Sequence, residues 1–76
     1  MLKMEKNFVA LIEKKYLRKP YEKYTTWELL GRLEDEYAEA LNAWHNEDVD
    51  ALKLEMADMS NIIDYIFERL SEGRVR

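Results

Sequence analysis

Seventy-six residues allow one domain at most, since soluble domains usually run to ~100–200 residues and a chain this short buries only ~60% of the surface its unfolded form exposes. The absence of cysteine excludes a disulfide framework, a thiolate zinc site and a cysteine nucleophile. The longest apolar run, Phe8 to Ile12, is five residues, far below the ~20 that cross a bilayer and too short for a signal-peptide core; the expectation is a soluble, cytoplasmic chain that does not engage membranes.

A composition that is 47% hydrophobic with two glycines and one proline suits a small all-α domain rather than a disordered tail. The net charge of −4 conceals a split: residues 1–25 carry seven basic and three acidic side chains, and residues 26–72 carry three basic and thirteen acidic ones. A carboxylate-rich middle is either a solvated helix face or a cation site. It also argues against nucleic acid as a partner, because most of the chain would repel a phosphate backbone.

In chain order, Phe8, Val9, Leu11, Ile12 and Tyr16 fall at helical spacing with lysines between them, which predicts an amphipathic helix from Leu2 to about Leu17. Arg18 to Tyr24 reads as a connector, because Pro20 disfavours helical geometry at Lys19. Thr25 and Glu28, three apart, form a capping-box pattern that starts a second helix. Leu30, Leu33, Tyr37, Leu41 and Trp44 then step by threes and fours, predicting a packing stripe that runs to His45, with the polar turn Asn46-Glu47-Asp48 beyond it. His45, the only histidine, is read as interacting with the C-terminal end of its own helix.

The third helix is the clearest pattern: Leu52, Met56, Met59, Ile63, Ile66 and Leu70 form its stripe, and Gly73 stands where a C-terminal cap belongs. A short polar turn between two long helices predicts an antiparallel helical hairpin. Both stripes are widened, by Leu29, Ala40 and Ala43 on one helix and by Ile62 and Phe67 on the other. Three short helices cannot cover that much apolar surface, so the hairpin is expected to assemble into an oligomeric four-helix-type bundle.

Two acidic pairs lie on these helices. Glu36 and Glu39 are three apart on the second, and Glu55 and Asp58 three apart on the third, so each pair shares one helical face and borders the apolar stripe. In an antiparallel hairpin the pairs can face each other, and four converging carboxylates repel strongly unless protons or metal ions compensate. Oxygen-only ligation suits magnesium, manganese or calcium. A di-iron bundle is excluded, since no Glu or Asp precedes His45 at the Glu-x-x-His spacing. Tyr16, Tyr21, Tyr24 and Trp27, interleaved with Arg18, Lys19 and Lys23, are a place where a base can stack beside phosphate-binding cations.

Leu33-Glu34-Asp35-Glu36-Tyr37-Ala38-Glu39 and Leu54-Glu55-Met56-Ala57-Asp58-Met59 together read E-x-x-E, fifteen residues, E-x-x-D. With the lead-in Trp27-Glu28-Leu29-Leu30-Gly31-Arg32-Leu33, this pattern over residues 26–70 of a single 76-residue domain resembles the MazG-like family of all-α nucleotide pyrophosphohydrolases. The resemblance implies magnesium, with manganese as the alternative, held by Glu36, Glu39, Glu55 and Asp58. It also implies hydrolysis of a nucleoside or deoxynucleoside triphosphate to monophosphate and pyrophosphate, and assembly as a homodimer or homotetramer. Glu36 or Asp35 would take the proton of the attacking water, and Trp27, Arg32, Asn61 and Tyr65 are the candidate substrate contacts. The competing expectation is a non-enzymatic helical interaction module, which would tolerate loss of the acidic pairs.

Overall fold

The computed structural model describes residues 3–16 and 21–74, with nothing stated of the Tyr16 side chain. Leu2, Leu17, Arg18, Lys19, Pro20 and Arg76 lie outside the described residues. Three helices make up the fold, α1 (Lys6–Tyr16), α2 (Thr26–His45) and α3 (Val49–Ser71), and no strand occurs among the described residues. The all-α class expected from the sequence is therefore the one observed.

The helix boundaries have local chemical causes. Glu5 accepts the Phe8 amide at 3.0 Å at the start of α1. At the start of α2 the Thr25 hydroxyl accepts the Glu28 amide at 3.1 Å and the Glu28 carboxylate accepts the Thr25 amide at 3.0 Å, so both members of the capping box are made. The backbone and side-chain hydrogen bonds with Thr25 hold the Glu28 carboxyl below its ordinary range. Asp48 caps α3 by accepting the Ala51 amide at 3.0 Å. The α2–α3 turn closes with the Asp48 amide on the Ala43 carbonyl at 2.9 Å, and Glu47 adopts a positive φ of 55° to complete it. Gly73, at φ 77°, ends α3 while the Arg74 amide returns to the Arg69 carbonyl at 2.9 Å; this is the C-terminal glycine cap predicted from the sequence.

α2 and α3 pack against each other as a hairpin, and α1 lies on α3. The small core is Tyr21, Leu29 and Ile62, surrounded by Tyr24, Leu33, Tyr65 and Ile66. Arg69 is 2% exposed and ties the connector to α3: its Nη2 donates to the Tyr21 carbonyl at 3.3 Å and to the Glu22 carbonyl at 3.0 Å. Its guanidinium also lies 5.2 Å from the centre of the Tyr65 ring, a favourable cation–π arrangement.

The packing stripes differ from those expected. Leu30, Tyr37, Leu41 and Trp44 are exposed on α2, as are Met56, Ile63 and Leu70 on α3. α2 instead turns inward the row Leu29, Leu33, Glu36, Ala40 and Ala43, and α3 the row Glu55, Asp58, Ile62, Tyr65 and Arg69. Both rows step by three and four residues, so they are equally good helical faces. Alanines at positions 40, 43 and 57, all buried, let two helix backbones approach closely, which the bulkier stripe does not.

Candidate metal centre

The inward rows carry acidic residues into the seam. Glu36 is buried in the seam, Glu39 stands one turn beyond it on the exposed edge of α2, and the antiparallel course of α3 brings the half-buried Glu55 opposite them. Carboxylate oxygens of Glu36, Glu39 and Glu55 all lie within 4.8 Å of one another. At that separation two carboxylates repel by about 3.5 kcal/mol at an effective dielectric constant of ~20. The chain relieves part of this with a proton: burial first, then Glu36 and Glu39 beside it, push the Glu55 carboxyl up to about 8.

Among the described residues, two basic side chains, Arg32 and Lys15, stand beside the buried acids. Arg32, one turn before Glu36, places Nη2 3.5 Å from Glu36 Oε1 and Nη1 4.0 Å from Asp35 Oδ2. Lys15, from α1, places Nζ 3.4 Å from Asp58 Oδ2. Glu36 and Asp58 are each 3% exposed, and carboxylates so deeply buried require such compensation. Asp58 stands one turn beyond Glu55 and faces α1, so the structure gathers three of the four expected ligands and holds the fourth on a lysine.

The donor set suits a hard divalent cation. Oxygens around one magnesium or manganese ion stand about 3–4 Å apart, as 2.0–2.1 Å metal–oxygen bonds require, close to the separation of at most 4.8 Å among the three carboxylates. Glu55 Oε2 and the Tyr21 hydroxyl are both shut off from solvent and have no hydrogen-bond partner among the described residues. Tyr21 is 3% exposed, and its hydroxyl is pushed up to about 12 by burial and then by the charges of Asp58 and Glu36. A buried hydroxyl beside carboxylates, with no partner of its own, is the kind of group that an ordered ion or its water would satisfy.

The remaining expected residues fall at different depths. Asp35 stands on the exposed flank of Arg32. Trp27, 83% exposed, borders an open concavity of about 470 Å³ with Tyr24, Gly31, Arg32 and Asp35. Asn61 is buried, donating Nδ2 to the Ile12 carbonyl at 2.9 Å, while its Oδ1 has no hydrogen-bond partner among the described residues. Tyr65 is half-buried, edge-on to Tyr21 with ring centres 6.0 Å apart. His45 occupies the last turn of α2.

Of the aromatic segment, Tyr21 has turned into the core and Trp27 outward, while Lys23 lies over the Tyr24 ring at 5.6 Å. Tyr21, Lys15 and Arg69 are site or support residues that the sequence reading did not single out in these roles. Lys15 completes the row Phe8, Ile12, Lys15 on α1, and Arg69 the row Ile62, Tyr65, Arg69 on α3, so their spacing carried a signal. Compared with known protein families, with curated proteins and with solved structures, the chain matches none.

Proposed function

We propose that the chain is a divalent-cation-dependent nucleoside triphosphate pyrophosphohydrolase of the MazG-like kind, with magnesium or manganese as the cation. The observation that carries the reading is the convergence of Glu36, Glu39 and Glu55 across the α2–α3 seam. Glu36, Glu39 and Glu55 would hold the cation, with Asp58 completing the set. When bound, the ion supplies charge neutralisation for the triphosphate and orientation for its attacking water.

The protein's own groups do the rest. Water oxygen attacks the α-phosphorus, the bond from that phosphorus to the α–β bridging oxygen breaks, and pyrophosphate leaves with that oxygen. Glu36 or Asp35 takes the proton of the water. Arg32 lines the Trp27 concavity and reaches Glu36, so it links a surface for the base to the acidic seam. A nucleotide substrate implies action in the cytoplasm, and no described helix is long and apolar enough to cross a membrane.

We also infer that the chain self-associates as a dimer or tetramer. Leu30, Tyr37, Leu41 and Trp44 on α2 and Met56, Ile63, Phe67 and Leu70 on α3 are exposed with the same 7, 4, 3 spacing. Two such seams on one hairpin suit a second hairpin.

The activity is tested by incubating the protein with ribo- and deoxyribonucleoside triphosphates and magnesium and identifying the products. Monophosphate with pyrophosphate, absent in chelator and in Glu39→Gln, is the expected result. No turnover across the panel, or diphosphate with orthophosphate, would contradict the reading. An interaction module would keep its self-association and show no turnover.

A further inference from the structure

The contact between Lys15 and Asp58 joins two parts of the molecule that the proposed chemistry does not otherwise connect. Lys15 lies near the end of α1, and its ammonium group meets a carboxylate at 3.4 Å whose side chain is only 4% exposed. α1 packs on α3, and the Ile12 carbonyl, one turn before Lys15, accepts the Asn61 amide at 2.9 Å. The two contacts therefore fasten the same face of α1 to positions 58 and 61, one turn apart on α3. The Tyr21 hydroxyl, buried with no hydrogen-bond partner among the described residues and near enough to feel the Asp58 charge, marks the same spot as a place where another polar group would fit.

An ammonium ion on a carboxylate and a divalent cation on that carboxylate are alternatives, because both occupy the same oxygen lone pairs and repel each other at short range. We propose that Lys15 is a built-in counter-ion that competes with the divalent cation for Asp58, so that docking of α1 and occupation of the carboxylate seam oppose each other. This inference rests on the cation-site reading of Glu36, Glu39 and Glu55. α1 thus acts as an internal brake. With Lys15 on Asp58 one oxygen of that carboxylate is engaged by an ammonium ion, and release of Lys15 removes that competitor. The antagonism is reciprocal, so whatever factor α1 docking costs in cation affinity, the cation costs in α1 docking.

The test is a manganese titration by calorimetry of wild type, Lys15→Met and Lys15→Arg, with Lys14→Met as a control for net charge on an exposed neighbour. Lys15→Met is expected to tighten manganese binding about two- to fivefold, the size of a partly exposed ion pair removed from competition. Lys15→Arg, which keeps the charge and grips a carboxylate more firmly, is expected to weaken binding, and Lys14→Met to change it less than twofold.

Amide hydrogen exchange supplies a readout that charge alone would not move: manganese should accelerate exchange in residues 9–16 of wild type by a similar factor, and not in Lys15→Met. Wild type that binds no manganese overturns the cation-site reading and this inference with it. Manganese binding by wild type that is unchanged or weaker in Lys15→Met, or that leaves α1 exchange untouched, overturns the inference and leaves the cation site standing.

Discussion

Replacing Glu55 by Gln should stabilise the metal-free protein, the opposite of what removing a buried hydrogen-bonding group usually does. The ordinary Glu value is 4.5, and in the folded chain Glu55 is pushed up to about 8, by burial and by Glu36 and Glu39. Below pH 4.5 the carboxyl is protonated whether the chain is folded or not. Between 4.5 and 8 the folded chain binds a proton that the unfolded chain has released, so stability falls as pH rises through that window.

Each pH unit within the window is about 1.4 kcal/mol, which sets an upper limit of about 3 kcal/mol near pH 7 relative to a side chain that is always neutral. Solvent screening at a half-buried site brings the expected gain for Glu55→Gln to about 1–2 kcal/mol. For a domain of this size that is about 5–15 °C in Tm. The assay is thermal unfolding followed by far-UV circular dichroism in chelator, at fixed protein concentration, near pH 5 and near pH 7. The variant should melt well above wild type at the higher pH and within a few degrees of it at the lower one. A variant equal to or less stable than wild type near pH 7 would refute the crowded carboxylate seam.

Other perturbations read the supporting structure. Arg69→Met removes the donor from the Tyr21 and Glu22 carbonyls and should cost about 2–4 kcal/mol in chemical denaturation, as loss of a buried charged donor does. Leu29→Ala opens a cavity at a fully buried core side chain and should cost about 3 kcal/mol by the same measurement. Leu41→Glu combined with Trp44→Glu charges the exposed α2 stripe and should reduce the sedimenting species to the 9.2 kDa monomer with helicity retained; an unchanged mass would remove that stripe from any interface.

α1 was legible from its apolar spacing, and α2 and α3 from the Thr25–Glu28 capping box, Gly73 and the polar turn between them, whereas the role of Asp48 as the cap of α3 emerges only in the structure. The helical faces were less so. A reading that follows hydrophobicity selects Leu30, Tyr37, Leu41 and Trp44, whereas the chain buries the neighbouring row with Glu36 in its middle. Nothing local distinguishes a row of Leu, Glu and Ala that is buried within the chain from one that is solvated. The decision is made by small residues that permit close approach and by Arg32 and Lys15, which make buried acids tolerable. The acidic pairs themselves were legible from their spacing and from their place beside the apolar residues. Lys15 is forty-three residues from Asp58, a partnership that only the packing of α1 on α3 reveals.

The central claim, that the α2–α3 seam gathers its carboxylates around a divalent cation, is tested most directly by titrating the purified protein with manganese and following the heat. The account predicts saturable binding in the submillimolar to low millimolar range, abolished separately by Glu36→Gln, Glu39→Gln and Glu55→Gln in variants that remain fully helical. Absence of saturable binding at millimolar manganese, or binding that survives all three substitutions, would contradict it.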